Sequence, residues 1–85
     1  MANITLYTKD HCAYCANAKR FLVTKDIDFD EVDITKDPSL ERELASQTRQ
    51  RTLPQIFVEN TFIGGFTELV RLNSEGKLDH LKPAA

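Results

Sequence analysis

The chain has 85 residues and a mass of 9.7 kDa, the size of one small domain, so we expect a single domain over residues 1–85. Hydrophobic residues make up 41% and charged residues 28%, which excludes collagen-like and low-complexity chains, and the formal charge of −2 argues against nucleic-acid binding. No apolar run approaches the roughly 20 residues of a membrane span, and no signal segment opens the sequence, so we expect a cytoplasmic protein without a membrane partner.

The first half of the chain predicts a strand, a helix, a second strand and a second helix. Residues 3–8 are rich in β-branched and aromatic side chains, as in a half-buried strand. From residue 13 to about 25, apolar residues recur at helical spacing, on a stripe made of Cys15, Ala18, Phe21 and Leu22. Apolar residues within 29–34 predict the second strand. Asp37 followed by Pro38 combines an N-cap acid with a proline at the first helical position, which predicts the start of the second helix.

The second half of the chain predicts two more strands and a third helix. Residues 55–59 and 62–63 predict strands joined by a short turn at 60–61, and a Gly-Gly pair ends the second of them. Thr67 is expected to cap a third helix that stops near Gly76. A last turn is expected to pack on the core before the final proline, with the residues Leu78, Leu81 and Pro83.

This order of elements predicts one mixed sheet. The first strand, its crossover helix and the second strand form a right-handed parallel unit, while the short connection between the third and fourth strands requires an antiparallel hairpin. With helices on both faces of the sheet, the fold class is α/β.

The only two cysteines are spaced as Cys12-Ala13-Tyr14-Cys15, at the start of the first predicted helix. Residues three apart on a helix lie side by side, within the Cα separation of about 4.4–6.8 Å found in disulfides. At a helix start, free N–H groups and the positive end of the dipole favour the thiolate of Cys12, and Lys9 adds a cation upstream. Cys15, one turn further in, is expected to be more buried and less ionised. Cys12 is therefore predicted to attack a substrate disulfide and Cys15 to resolve the mixed disulfide.

Two other interpretations of the cysteine pair are a structural metal half-site and two unrelated buried thiols. A metal site needs more ligands, and the chain offers only His11 and His80, so no metal is expected. His11 is more typical of a solvated loop residue than of a catalytic base. A C-x-x-C motif after a strand in a βαβ chain favours the redox interpretation.

Four motifs together make the chain resemble the glutaredoxin family, most closely its short bacterial dithiol form. They occur in the family's order and cover nearly the whole chain: Tyr7-Thr8-Lys9, Cys12-Ala13-Tyr14-Cys15, Thr52-Leu53-Pro54-Gln55-Ile56-Phe57 and Ile63-Gly64-Gly65. Thioredoxin is a poorer match, because it typically has tryptophan before its first cysteine and Gly-Pro between the two, whereas this chain has no tryptophan.

The resemblance implies a thioredoxin fold, with a four-stranded mixed sheet of order 2-1-3-4 between helices on both faces. It also implies a monomeric glutathione-disulfide oxidoreductase with glutathione as its electron donor. The substrates would be glutathionylated proteins and other disulfides, with ribonucleotide reductase as one candidate.

The resemblance further implies a glutathione-binding surface. The Leu53–Pro54 bond is expected to be cis, against an ordinary trans proline at a strand start, so that the Leu53 backbone pairs with the ligand. Gly65 would let the backbone approach the ligand. The amides of Phe66 and Thr67 and the Thr67 hydroxyl would hold the γ-glutamyl carboxylate; without the resemblance, this segment is equally a strand-to-helix turn with a cap.

At the other end of glutathione, Lys9 would face the glycyl carboxylate. Arg42 or Arg51 would assist, unless both are solvated surface charges. Tyr14 would flank the thiol part of the ligand, or else cover the helix end. The charge distribution favours an anionic ligand here, because residues 26–43 hold eight acidic and two basic residues, which leaves the remainder, with both cysteines, net positive.

The chain departs from the family's commonest pattern at three positions. Ala13 replaces a proline, which should leave the helix start more pliable and alter the redox potential in a direction the sequence does not fix. Phe66 stands where relatives often carry a cysteine or a serine, and Thr67 stands where they often carry an aspartate. The absence of proline at Ala13 also admits a second function, an iron–sulfur carrier in which the first cysteines and glutathione thiols of a dimer bridge a [2Fe–2S] cluster.

Overall fold

The computed structural model describes residues 3–82. Its elements follow the predicted order and are β1 (Ile4–Thr8), α1 (Ala13–Thr24), β2 (Asp30–Asp33), α2 (Pro38–Thr48), β3 (Gln55–Val58), β4 (Thr61–Gly64), α3 (Phe66–Ser74) and a 3₁₀ turn (Asp79–Leu81). No helix within residues 3–82 is both long enough and apolar enough to cross a membrane. Pro83, which was expected to follow the last turn, lies outside the described residues.

The four strands form one mixed sheet in the order β2-β1-β3-β4, which confirms the order 2-1-3-4. β1 pairs in parallel with β2 and antiparallel with β3, and β3 pairs antiparallel with β4. Because β1 is a central strand, the loop that leads from it into α1 emerges from the middle of the sheet. This topology places the C-x-x-C segment at the centre of one end of the molecule.

The main core lies between one face of the sheet and the helices α1 and α3. This face of the sheet, called the first face below, contributes Ile4, Leu6 and Ile56. These three residues are fully buried and pack on the stripe predicted for α1. The last turn closes the cluster as expected, with Leu78 buried and Leu81 packed against it. The full set of buried core residues is Ile4, Leu6, Ala18, Leu22, Ile27, Ile56, Leu69 and Leu78.

The helix α2 lies on the opposite face of the sheet. Tyr7 and Gln55 are cross-strand partners, and they point away from the core because side chains alternate along a strand. The Gln55 Oε1 atom accepts a hydrogen bond from the Thr48 hydroxyl at the end of α2, at 3.0 Å. Helices therefore cover both faces, as predicted. The buried Leu44 of α2 lies outside the main core cluster.

The connection between β3 and β4 differs from the prediction by one residue. The two turn residues are Glu59 and Asn60, with φ of 51° and 69°, and Val58 pairs directly with Thr61. Positive φ at both central residues is the backbone of the two-residue hairpin turns that match the twist of a sheet. The turn predicted at 60–61 is therefore wrong, and β4 begins at Thr61.

The start of α3 also differs from the prediction. The N-cap residue is Gly65, and the helix begins at Phe66, so Thr67 lies inside the first turn and is not the cap. The Glu68 carboxylate explains the shift, because its Oε1 accepts a hydrogen bond from the Gly65 N–H at 2.7 Å. A glutamate three residues after the N-cap commonly binds the N-cap amide in this way.

Candidate active site

Cys12 and Cys15 lie at the N-terminal end of α1 and form a disulfide, with their Cα atoms 5.2 Å apart. Cys12 is the N-cap residue, and its Sγ atom accepts a hydrogen bond from the Cys15 N–H at 3.1 Å. Cys15 is 2% exposed, whereas Cys12 is half-buried. The predicted difference in burial is therefore present: Cys12 is partly exposed and its sulfur receives an amide hydrogen, whereas Cys15 is enclosed.

The segment that precedes β3 forms one wall beside the cysteines. The Leu53–Pro54 peptide bond is cis, as expected, and the carbonyl oxygen of Leu53 lies 3.7 Å from Cys12 Sγ. Pro54 is buried and Leu53 half-buried. An extended thiol ligand bound at Cys12 would therefore run directly past the Leu53 backbone.

The side chain of Gln55 anchors this wall. Gln55 is 2% exposed, and its Nε2 donates hydrogen bonds to the carbonyl oxygens of Gln50 at 2.8 Å and Thr52 at 3.3 Å. Its Oε1 accepts from Thr48, which ties the segment to α2. The sequence placed Gln55 at the start of a strand and within the Thr52–Phe57 motif, and predicted no role for its side chain. The available signal was a long amide side chain placed where a buried strand begins, since buried amides bind neighbouring backbone groups.

The Gly64-Gly65 pair and the start of α3 form the second wall. Gly64 has a φ of +123°, whereas Gly65 is extended, and a Cβ on Gly65 would lie 3.4 Å from the carbonyl oxygen of Pro54. The Gly65 backbone therefore lies directly beside the Pro54 carbonyl group. Because Glu68 binds the Gly65 amide, the first N–H groups of α3 are those of Phe66 and Thr67, and such groups lack acceptors within the helix. They are available to an anion.

Aromatic side chains connect the starts of α1 and α3. Tyr14 is 63% exposed, and its ring centroid lies 6.5 Å from that of Phe66. Phe66 in turn makes an edge-on contact with Phe21 of α1, at 6.1 Å. Tyr14 therefore stands between the cysteine pair and the start of α3, with most of its ring open to a ligand.

Lys9 and two arginines form the cationic side of the site. Lys9 Nζ lies 3.2 Å from both carboxylate oxygens of Glu41 in α2. Glu41, Arg42, Arg51 and Leu53 line one groove of about 550 Å³. Leu53 lines this groove and its carbonyl oxygen lies 3.7 Å from Cys12 Sγ, so the groove that holds Arg42 and Arg51 adjoins the cysteine. The pairing of Lys9 with Glu41 was not predicted, because the two residues are far apart in sequence.

A hydrogen-bonded group on the first face of the sheet supports the end of β1. The Thr8 hydroxyl donates to the Glu31 carboxylate at 2.6 Å, and Lys19 Nζ of α1 lies 3.0 Å from the same oxygen. The hydrogen bond from Thr8 is the main reason that the pKa of Glu31 lies below its usual value, with Lys19 contributing further. This group joins β1, β2 and α1 immediately before the loop that carries Cys12.

A similar local contact follows β2. The Thr35 side chain and backbone N–H both donate to Asp33, and these bonds lower the pKa of that carboxyl group. The Thr35 hydroxyl also accepts from the Asp10 N–H at 2.9 Å, which ties the loop of Asp10 to the end of β2. Within residues 3–82, no group of three or more His, Cys, Asp or Glu side chains is arranged to hold a metal ion.

Comparison with known proteins gives a consistent result. Residues 4–63 match the family model described as Glutaredoxin. A glutaredoxin of Neisseria meningitidis serogroup B is 43% identical over 82 residues, which cover 95% of this chain and 96% of the relative. The solution structure of glutaredoxin from Brucella melitensis is 40% identical, with a TM-score of 0.81, and the match covers 96% of this chain and 90% of that one.

The fold comparison also includes a ligand complex. The crystal structure of the buckwheat glutaredoxin–glutathione complex superimposes with a TM-score of 0.86 over 95% of this chain and 76% of that one. At 21% identity, this similarity concerns the fold alone.

Proposed function

Since the chain belongs to the glutaredoxin family and is therefore a thiol–disulfide oxidoreductase, we propose that glutathione is its electron donor and that it reduces glutathionylated proteins and other disulfides. The observation that carries the proposal is the position of Cys12. Its sulfur is the N-cap of α1, accepts the Cys15 amide hydrogen and is half-buried at the surface. Amide donors and the helix dipole at this point favour the thiolate, which is the form that attacks a disulfide.

The proposed reaction with a glutathionylated protein has two exchange steps. The Cys12 thiolate attacks the glutathione sulfur, a bond forms between them, and the protein thiol leaves as its thiolate. A second glutathione thiolate then attacks that sulfur of the mixed disulfide, so that glutathione disulfide leaves and the Cys12 thiolate returns. With a protein disulfide, the Cys12 thiolate attacks one substrate sulfur and the other leaves as a thiolate. The Cys15 thiolate then attacks the Cys12 sulfur, the second substrate thiolate leaves, and the Cys12–Cys15 disulfide forms. One glutathione thiolate opens this disulfide, and a second attacks the resulting glutathione mixed disulfide, so that glutathione disulfide leaves and both cysteines return to the thiol level.

The contacts around Cys12 support glutathione as the ligand. The Leu53 backbone lies beside the sulfur, the free amides of Phe66 and Thr67 suit one carboxylate, and Lys9 with Arg42 or Arg51 suits the other. Glutaredoxins use glutathione as reductant, and the buckwheat homologue has been crystallised as a glutathione complex. On this basis Tyr14, Pro54 and Gly65 complete the surface between the two carboxylates.

Turnover of a glutathione–cysteine mixed disulfide, coupled to glutathione reductase, tests the proposal. Cys12→Ser should abolish turnover, whereas Cys15→Ser should retain much of it, because the two exchange steps above use only Cys12. Equal loss in both variants would contradict this route and indicate obligatory dithiol exchange. Wild-type activity supported by thioredoxin reductase but not by glutathione would contradict the proposed electron donor.

Three expectations from the sequence stay predictions: the monomeric state, the cytoplasmic location and the iron–sulfur carrier as an alternative function. Anaerobic purification followed by a visible spectrum addresses the alternative. A colourless monomer that resists cluster reconstitution would remove it.

A further inference from the structure

The contact between Lys9 and Glu41 places a carboxylate of the protein where a ligand carboxylate is expected. Lys9 belongs to the loop between β1 and α1, and Glu41 to the first turn of α2. The Lys9 ammonium is equidistant from both Glu41 oxygens, at 3.2 Å. Both side chains are about two-fifths exposed, at 42% and 40%. A ligand can therefore reach this ion pair from solvent.

Among the described residues that line this groove, Glu41 is the one acidic side chain. Arg42 and Arg51 line the same groove, and within residues 3–82 neither forms an ion pair with an acidic side chain. An anionic ligand that enters the groove meets two arginines, but it must share or displace the partner of Lys9. Glu41 also repels any carboxylate that comes close to it.

We propose that Glu41 sets the affinity and selectivity of the site for the carboxylate end of its thiol ligand. Glu41 competes with the ligand carboxylate for Lys9. This competition weakens the binding of ligands whose carboxylate end is charged, and it leaves the binding of ligands that are neutral at this end unaffected. This inference rests on the proposed function, since it assumes that the glycyl carboxylate of glutathione approaches Lys9. Glu41 is a specificity-determining residue in this account and takes no part in the exchange of sulfur atoms.

The size of the effect follows from the exposure of the pair. Exposed ion pairs are weak and are screened by salt, so removal of the competing charge should lower KM for the glutathione mixed disulfide by about twofold to fivefold at low ionic strength. The effect should shrink in high salt, because the Debye length falls to about 3 Å at 1 M. Since chemistry at Cys12 is unchanged, kcat should remain close to the wild-type value.

The test compares Glu41→Gln with Glu43→Gln as a matched control. Glu43 lies on the same helix, is exposed and accepts a hydrogen bond from Gln47, so its replacement removes the same charge away from Lys9. Each variant is assayed with the mixed disulfide of glutathione and with that of glutathione monoethyl ester, whose glycyl carboxylate is neutral. Glu41→Gln should lower KM for the first substrate only, and Glu43→Gln should change neither KM by as much.

Each other outcome has a definite meaning. A higher KM in Glu41→Gln would overturn the inference and indicate that Glu41 positions Lys9 for the ligand. Equal changes in Glu41→Gln and Glu43→Gln, or equal changes with both substrates, would also overturn it. If the wild-type protein turns over neither mixed disulfide, the proposed use of glutathione fails instead, and the two failures are thereby distinguished.

Discussion

Gln55→Met tests how the protein holds the segment that faces Cys12. Methionine has nearly the length of glutamine but offers no amide group. The substitution removes three hydrogen bonds of a side chain that is 2% exposed: those to the carbonyls of Gln50 and Thr52, and that from the Thr48 hydroxyl. The segment that carries Leu53 should then be held less firmly against α2.

The expected cost follows from these bonds. Each hydrogen bond contributes about 0.5–1.5 kcal/mol net, so three give about 1.5–4.5 kcal/mol. Gln50 and Thr52 are exposed residues, so water can replace part of what their carbonyls lose, and we expect a value of about 2 kcal/mol. For a domain of this size, that corresponds to a fall in Tm of about 8–16 °C.

Urea unfolding and thermal melts of Gln55→Met and of Gln47→Met measure the difference. Gln47 is exposed on α2 and donates one hydrogen bond to Glu43, at 3.3 Å, so its replacement should change the free energy of unfolding by about 0.5 kcal/mol or less. In Gln55→Met, kcat/KM for a disulfide substrate should fall, while the alkylation rate of Cys12 stays unchanged. Equal stability of the two variants would refute the role assigned to Gln55.

Two further predictions concern the sheet and the turn after it. Thr8→Val removes the hydrogen bond that lowers the pKa of Glu31. A lowered carboxyl pKa stabilises the folded protein at pH values above 4.5, the ordinary pKa of the group. This stability is lost as the pH falls through the pKa of the folded state. Urea unfolding should therefore show a shallower loss of stability below pH 4.5 in Thr8→Val than in the wild type, and an unchanged pH dependence would contradict this. Gly64→Ala should destabilise the protein by about 1–3 kcal/mol, because φ is +123° and a Cβ would lie 2.5 Å from Glu68 Oε1. A wild-type melting temperature for Gly64→Ala would show that Glu68 and the backbone adjust freely.

Local signals in the sequence were sufficient for most of the fold. The start of α2 is an example: Asp37 accepts a hydrogen bond from the Leu40 N–H at 3.1 Å, as an N-cap acid does. Errors arose where a contact between two residues three positions apart decided which of two neighbouring residues begins an element. Glu68 binds the Gly65 amide and moves the start of α3 ahead of Thr67. The Val58–Thr61 pair moves the hairpin turn onto Glu59 and its neighbour.

In the candidate site, too, the features that depend on local sequence could be predicted, whereas those that depend on distant contacts could not. The environments of Cys12 and Cys15 could be predicted because they depend on one helix and its first turn. The partners of Lys9 and Gln55 could not, since the first is 32 residues away in sequence and the second depends on how α2 packs against the sheet. Hydrophobic periodicity shows which face of a helix is buried, but it does not show which charged residue meets which.

The pH dependence of Cys12 alkylation tests the central claim most directly. The Cys15→Ser variant leaves one thiol, and its rate of reaction with iodoacetamide reports the fraction present as thiolate at each pH. With its sulfur at the N-cap of α1, Cys12 should reach half of its maximum alkylation rate at a pH well below about 8.5. That value is the pH at which free cysteine is half ionised. A profile that coincides with that of free cysteine would contradict thiolate stabilisation by the helix and, with it, the account of catalysis.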